Sequence, residues 1–182
     1  MRRPVRNVLV VVAAATVLGL TGCSQSPSTA VVVDGTVITE ASVSSTADAI
    51  SNFLTANHYQ PLPSAQARVF AVRWLAQGVL ADTASRATGV TISNADVMQA
   101  ADQSQDASVR DLLDDPGLHD AMAGQIRWEL LANKIPRARL DQALQDTVVT
   151  LNPRYGQWLP GSYSTFGEGL GLSAPILPAT GS

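Results

Sequence analysis

The residue types that most often carry catalysis are scarce in this chain. It has one cysteine, Cys23, and two histidines, His58 and His119. His119 precedes Asp120 at a predicted helix start, where a His-Asp pair is more often solvated than catalytic. The sequence patterns of a serine-nucleophile elbow, a phosphate-binding loop, a dinucleotide-binding loop and a zinc protease do not occur. The sequence therefore predicts a protein that is not an enzyme and that binds no cofactor or metal.

An acidic cluster is the strongest candidate for a cation site. It comprises Asp111, Asp114, Asp115 and Asp120. Carboxylates bind Ca²⁺, but a calcium-binding loop needs ligands at alternating positions and a glycine at its turn, and this cluster lacks that spacing. We interpret it as a solvated helix end followed by a turn.

Arg154 is a candidate anion contact. It stands between Pro153 and Tyr155, and a guanidinium held in place can bind a carboxylate or a phosphate through two parallel hydrogen bonds. The alternative is structural, with Arg154 paired to an acidic residue of the domain while Tyr155 and Trp158 pack on helices. We favour the structural alternative.

The N-terminus has the features of an export signal. Three arginines in the first six residues precede an uncharged run at 8–20, which is shorter than the roughly 20 apolar residues that a membrane-spanning helix needs. The run ends in Leu20, Thr21, Gly22 and Cys23, which resembles the lipobox of bacterial lipoproteins. This resemblance implies cleavage before Cys23, a lipid on its thiol, and a location on the extracytoplasmic face of the cell membrane. The alternative is an ordinary signal or an uncleaved anchor.

Removal of residues 1–22 would change the net charge. The mature chain would have 160 residues (182 − 22), and loss of Arg2, Arg3 and Arg6 would leave 9 basic against 15 acidic residues, a net charge of −6. Nucleic acids and anionic lipids are bound mainly through basic patches. Nucleic acid is therefore not a predicted partner, and contact with the membrane is expected through the lipid on Cys23.

Structural signals divide the chain into four segments. They are a signal peptide at 1–22, the lipidated cysteine and a flexible tether at 23–30, a helical domain at 31–151, and a Pro- and Gly-rich irregular to disordered tail at 152–182. Two β-branched runs around Asp34 and Gly35 predict a hairpin. A β-branched run at 147–151 predicts a strand that pairs with this hairpin and brings the two ends of the domain together.

Apolar residues at helical spacing predict helices between the hairpin and the last strand. The predicted helices lie at about 40–56, 64–88, 93–103, 118–135 and 137–145, with a helical turn at 106–115. The second should be central, because its apolar residues surround most of its circumference. Gly89 should end this helix, and Ser93 with Asp96 should form a capping box at the start of the next one.

Four segments carry a resemblance to a known family. They are VVVDGTVITEASV at 31–43, ATGVTISNADV at 87–97, AGQIRWELLANKI at 123–135 and TLNPRYGQW at 150–158. The first three together resemble the N-terminal domain of the SurA, PrsA and PpiD group of extracytoplasmic chaperones and foldases, and the fourth looks like the tail of the lipoprotein members with this domain. The resemblance implies a mostly helical domain with a few short strands and an apolar groove for unfolded polypeptide. The 46 residues after Pro136 (182 − 136) are too few for the prolyl isomerase domain of the complete foldases.

Two functional hypotheses follow. The first is a membrane-anchored, chaperone-like domain that holds unfolded or exported polypeptides without catalysis, that is, a holdase. The second is an accessory or scaffold lipoprotein of the cell envelope that binds one specific protein partner. Flexible methionine and aromatic side chains suit tolerant binding of apolar segments. The candidate client-binding residues are Phe53, Met98, Met122 and Trp128.

Overall fold

A computed structural model describes residues 28–156 and residue 158 of the chain. These residues form a mostly helical fold with one small antiparallel sheet, as predicted. It has six helices and three strands, and the predicted helical turn at 106–115 is a short helix. The predicted signal peptide, the lipidation site at Cys23 and the tail from residue 159 onward lie outside the described residues.

The sheet joins the beginning of the domain to its end. Its strands are β1 (Thr29–Val33), β2 (Thr36–Thr39) and β3 (Val149–Leu151), in the order β2-β1-β3. Asp34 and Gly35 have φ values of 46° and 79°, the left-handed backbone that a two-residue hairpin turn requires. Val31 lies opposite Ile38 in β2 and opposite Leu151 in β3, which confirms the predicted pairing.

The predicted tether extends too far into the domain. β1 already begins at Thr29, and Ala30 is completely buried. The register of β1 against β2 shifts between Thr29 and Val31, so that Ala30 forms an irregularity in the strand. The sequence places the boundary at residue 30 because the small polar residues before Val31 have no strand signal of their own.

The helix boundaries agree with local capping signals. The helices are α1 (Glu40–Ala56), α2 (Ser64–Thr88), α3 (Asn94–Asp102), α4 (Ser108–Asp114), α5 (His119–Lys134) and α6 (Arg137–Leu144). Thr39 Oγ1 accepts a 3.1 Å hydrogen bond from the backbone N–H of Ser42 and thereby caps α1. Ser93 and Asp96 form the predicted capping box, and Gly89 ends α2 with a φ of 71°.

Helix α2 is the centre of the fold. It packs against α1, α5, α6 and the sheet, and Trp74 and Leu80 on it are almost completely buried. At its crossing with α5 the two backbones approach closely, since a β-carbon on Gly124 would lie 2.8 Å from the Cα of Gly78. Two glycines thus allow α2 and α5 to meet at short distance.

Candidate functional site

A polar cluster connects three distant parts of the chain. Glu40 is the first residue of α1, Arg68 lies in the second turn of α2, and Tyr155 ends a 3₁₀ turn at Pro153–Tyr155. Helix α1 starts at Glu40 because Thr39 caps it, and the backbone of Glu40 donates a 2.7 Å hydrogen bond to the carbonyl of Ser28. The first described residues therefore lie directly beside the cluster.

The carboxylate of Glu40 is the centre of this cluster. Its Oε2 accepts a 2.6 Å hydrogen bond from Arg68 Nη2 and a 2.7 Å hydrogen bond from the Tyr155 hydroxyl. Arg68 Nη2 also donates to the Tyr155 oxygen at 3.0 Å. Arg154 Nη1 lies 3.6 Å from the same Oε2, and its guanidinium carbon is 5.8 Å from the centre of the Tyr155 ring. Arg154 is thus paired with an acidic residue, as the structural interpretation predicted.

Asn152 holds the 3₁₀ turn in place. Its side-chain Oδ1 accepts a 3.2 Å hydrogen bond from the backbone of Arg154, and its own backbone N–H donates to the carbonyl of Ala30 at 2.9 Å. Tyr155 is only 4 % exposed, and Trp158 packs against the core. The predicted domain end at residue 151 is therefore too early, because the start of the predicted tail is bound to β1 and to the core.

Burial and hydrogen bonding change the proton affinities in the cluster. The hydrogen bond to Tyr155 raises the pKa of Arg68, although burial opposes the rise. Burial raises the pKa of Tyr155, and the hydrogen bond it donates to Glu40 adds to this effect. Both shifts favour the forms present near neutral pH, a guanidinium and a neutral phenol. Glu40 Oε1 is buried and has no hydrogen-bond partner among the described residues.

A cleft of about 410 Å³ opens between the start of α2 and the 3₁₀ turn. It is mostly apolar, and its volume falls in the range of small-molecule and peptide side-chain pockets. Its charged residues are both arginines, one of which, Arg154, has a half-exposed side chain. The lining residues are Pro63, Ala65, Gln66, Arg68, Val69, Arg154 and Tyr155.

The candidate client-binding residues do not line the cleft, and three of the four are buried, which contradicts their predicted role as client contacts. Phe53, Met122 and Trp128 are 5 %, 2 % and 4 % exposed and belong to the core, while Met98 is half-buried and packs against it. The cavity beside Phe53 has a volume of only about 10 Å³, about the minimum for one water molecule.

Packing on several sides of α5 explains this outcome. Helices α2, α3 and α4 all contact α5, and every residue from Ala121 to Ile126 is buried. Trp128 lies off the main apolar stripe of α5, which would leave it exposed if only one face of the helix were covered. The spacing of apolar residues in the sequence reveals one apolar stripe on α5. It does not show how many other helices pack around α5.

His119 and two of the four aspartates of the acidic cluster have local hydrogen-bond partners. His119 Nδ1 lies 2.7 Å from the carbonyl of Leu113 at the end of α4. Asp114 accepts a 2.9 Å hydrogen bond from Arg110, and Asp115 accepts one of 2.8 Å from the backbone of Gly117. Across residues 28–156 and 158, no three His, Cys, Asp or Glu side chains group as metal ligands.

Sequence reasoning missed two members of the polar cluster. By its sequence context, Glu40 is only a favourable acidic residue in the first turn of a helix. One signal for Arg68 exists, because it is the only charged residue between Ser64 and Val72. No local pattern indicates that these residues meet Tyr155, which lies 115 positions after Glu40.

Comparison with known proteins assigns neither a family nor a function to this chain. No family model matches the chain, and no curated protein and no solved structure is significantly similar to it. Among the residues that the structure describes, no helix is long and apolar enough to cross a membrane. The cleft and the polar cluster beside it are the features of the described residues that bear on function.

Proposed function

We propose that this protein is a lipid-anchored, extracytoplasmic binding domain that holds a short polypeptide segment without catalysis. The observation that carries the proposal is the largely apolar cleft of about 410 Å³ with two arginines in its lining. An apolar pocket with a few placed polar groups is the usual form of a binding site. The resemblance to the N-terminal domain of the SurA, PrsA and PpiD group supports polypeptide as the ligand class.

The size of the cleft favours one specific partner over many unfolded clients. A general holdase needs a wide apolar surface, but three of the four residues expected to form one are buried in the core and Met98 is half-buried. Among the described residues, the exposed large apolar side chains are Val37 and Val148, which lie in β2 and next to β3, the two outer strands of the sheet. An accessory lipoprotein that binds one envelope protein is therefore the form of the proposal that we prefer.

The predicted anchor would hold the cleft close to the membrane. Ser28 accepts a hydrogen bond from Glu40, and Cys23 lies five positions before Ser28. A fully extended chain of five residues spans at most about 18 Å. A lipid on Cys23 would therefore keep Ser28, whose carbonyl accepts the backbone hydrogen bond of Glu40, within about that distance of the bilayer surface.

The anchor is tested by the variant Cys23→Ala. We expect the wild-type protein to take up labelled fatty acid and to fractionate with membranes, and the variant to lose both properties because it has no other thiol. A variant that still fractionates with membranes would contradict attachment through Cys23.

Polypeptide binding is tested by filling the cleft. Ala65 is an exposed lining residue and the second residue of α2, after Pro63. Ala138 is a matched control, because it is also exposed and is the second residue of α6, after Pro136. We expect residues 24–182 to bind a subset of short peptides from a random library, Ala65→Trp to abolish this binding, and Ala138→Trp to leave it unchanged. Equal binding by both variants, or no binding by the wild type, would refute the proposal.

A further inference from the structure

We propose that the cleft recognises the free C-terminal carboxylate of a polypeptide, with Arg154 as the principal ligand and Arg68 as the second one. This inference rests on the proposed function, since it names the group by which the bound segment is selected. The carboxylate belongs to the last residue of the bound polypeptide. The apolar side chain of that residue would therefore lie against Pro63 and Val69 in the wall of the cleft.

Arg154 has donor capacity that the fold does not use. Its ion pair with Glu40 is long, at 3.6 Å, and its side chain is half-exposed at the cleft. The adjacent Tyr155 ring, 5.8 Å from the guanidinium carbon, supports it from one side. A guanidinium carries five N–H donors in a planar fork, which matches the two oxygens of a carboxylate.

Arg68 has guanidinium donors that its partners in the fold do not occupy. Its hydrogen bonds to Glu40 and to Tyr155 both use Nη2. These two bonds fix the orientation of the guanidinium plane and leave Nη1 and Nε for another acceptor. A donor that is already oriented loses little conformational entropy when a ligand binds.

The net charge of the cluster matches a ligand with one negative charge. Arg68 and Arg154 contribute two positive charges and Glu40 contributes one negative charge from behind them, so the cluster has a net charge of +1. The mature chain would be acidic as a whole, which makes this cleft a local positive site. One carboxylate neutralises the net charge of the cluster.

The rest of the lining favours a polypeptide over a lipid. Gln66 lines the cleft, and its side-chain amide offers both a donor and an acceptor to a peptide bond. Pro63, Ala65 and Val69 supply apolar surface for one side chain next to the carboxylate. An acyl chain would fill the apolar part but would offer nothing to the amide of Gln66.

The experiment compares two forms of one peptide. A fluorescent short peptide with an apolar last residue is titrated as the free acid and as the C-terminal amide, against residues 24–182. We expect the free acid to bind about tenfold tighter or more, and Arg154→Gln to remove this preference. Arg86→Gln is the control, because Arg86 lies on the same helix about 27 Å from Arg68 and should keep the preference.

The outcomes separate this inference from the proposed function. Equal affinity for acid and amide, with both weakened by Ala65→Trp, would overturn carboxylate recognition and leave the polypeptide-binding proposal intact. If Arg154→Gln keeps the preference for the free acid, Arg154 is not the residue that binds the carboxylate. Flotation with vesicles of anionic phospholipid provides the last arm. Vesicle binding that depends on Arg154, without a preference for the acid peptide, would overturn the inference in favour of lipid phosphate.

Discussion

The hydroxyl of Tyr155 donates a 2.7 Å hydrogen bond to the carboxylate of Glu40, 115 positions earlier in the chain. This bond attaches the 3₁₀ turn after the last strand to the first turn of the first helix. It also orients the ring that supports Arg154 at the cleft. Stability of the domain and the shape of the candidate site therefore depend on the same contact.

Removal of the Tyr155 hydroxyl should destabilise the domain. We expect Tyr155→Phe to lower the free energy of unfolding by about 1–3 kcal/mol, because a hydrogen bond to a charged acceptor in a part-buried site is lost. Urea unfolding followed by circular dichroism measures the change. Tyr59→Phe is the control, since the Tyr59 ring stacks on Phe53 and this contact does not need the hydroxyl. An equal loss in both variants would contradict a special role for the Tyr155 hydroxyl.

The same hydroxyl should make the stability of the domain vary with pH in the alkaline range. The pKa of Tyr155 is raised in the folded protein, mainly by burial, so the folded state holds this proton more tightly than the unfolded state does. Its contribution to stability is complete below the unfolded pKa of about 10 and is lost as the pH rises through the folded pKa. We expect the stability difference between wild type and Tyr155→Phe to shrink above about pH 10. A difference that stays constant between neutral and alkaline pH would contradict this.

The capping box of Ser93 and Asp96 should make the stability of the domain vary with pH in the acidic range. The side chain and the backbone N–H of Ser93 donate hydrogen bonds of 2.7 Å and 2.8 Å to Asp96 Oδ2, and these bonds lower the pKa of Asp96. The stabilisation is therefore present above the unfolded pKa of about 3.9 and is lost as the pH falls through the lower folded pKa. We expect the stability advantage of wild type over Asp96→Asn to disappear at strongly acidic pH.

A matched substitution for the acid experiment is Asp120→Asn. Asp120 lies in the first turn of α5, where no side-chain cap is formed. Unfolding is measured by urea at a series of pH values for wild type and both variants. If Asp120→Asn shows the same change with pH as Asp96→Asn, the capping box is not the cause.

The crossing of α2 and α5 should tolerate no side chain at Gly124. A β-carbon there would lie 2.8 Å from the Cα of Gly78, so Gly124→Ala should cost about 1–3 kcal/mol through overpacking. Gly78→Ala is the matched control, because its β-carbon would lie 3.4 Å from Gly124 and alanine improves helix propensity. We expect a change in melting temperature for Gly124→Ala that clearly exceeds that for Gly78→Ala. Equal effects would mean that the two helices can separate without cost.

Trp128 should behave as a core residue rather than as a client contact. Its burial predicts that Trp128→Ala lowers the free energy of unfolding by about 3–5 kcal/mol. Val148→Ala provides the comparison, because Val148 is 67 % exposed and should cost less than about 0.5 kcal/mol. A folded Trp128→Ala protein with wild-type stability would show that this indole is not part of the core.

Local signals explain why much of the secondary structure could be predicted. Asp34 and Gly35 tolerate the positive φ values of a tight turn, and Thr39 and Ser93 offer side-chain oxygens to the first backbone N–H groups of α1 and α3. Gly89 adopts the left-handed conformation that ends α2. Each of these signals acts within a few residues, so it can be read from the sequence without knowledge of the fold.

Only the tertiary structure decided the site. Trp128 is buried because three helices pack around α5. The spacing of apolar residues within α5 does not show how many helices will pack against it. Glu40, Arg68 and Tyr155 meet because β3 and the 3₁₀ turn pair back onto β1, which brings distant positions together. The cleft between α2 and that turn exists only once both are packed, since cavity shape depends on how separate elements fit and not on the residue types within any one of them.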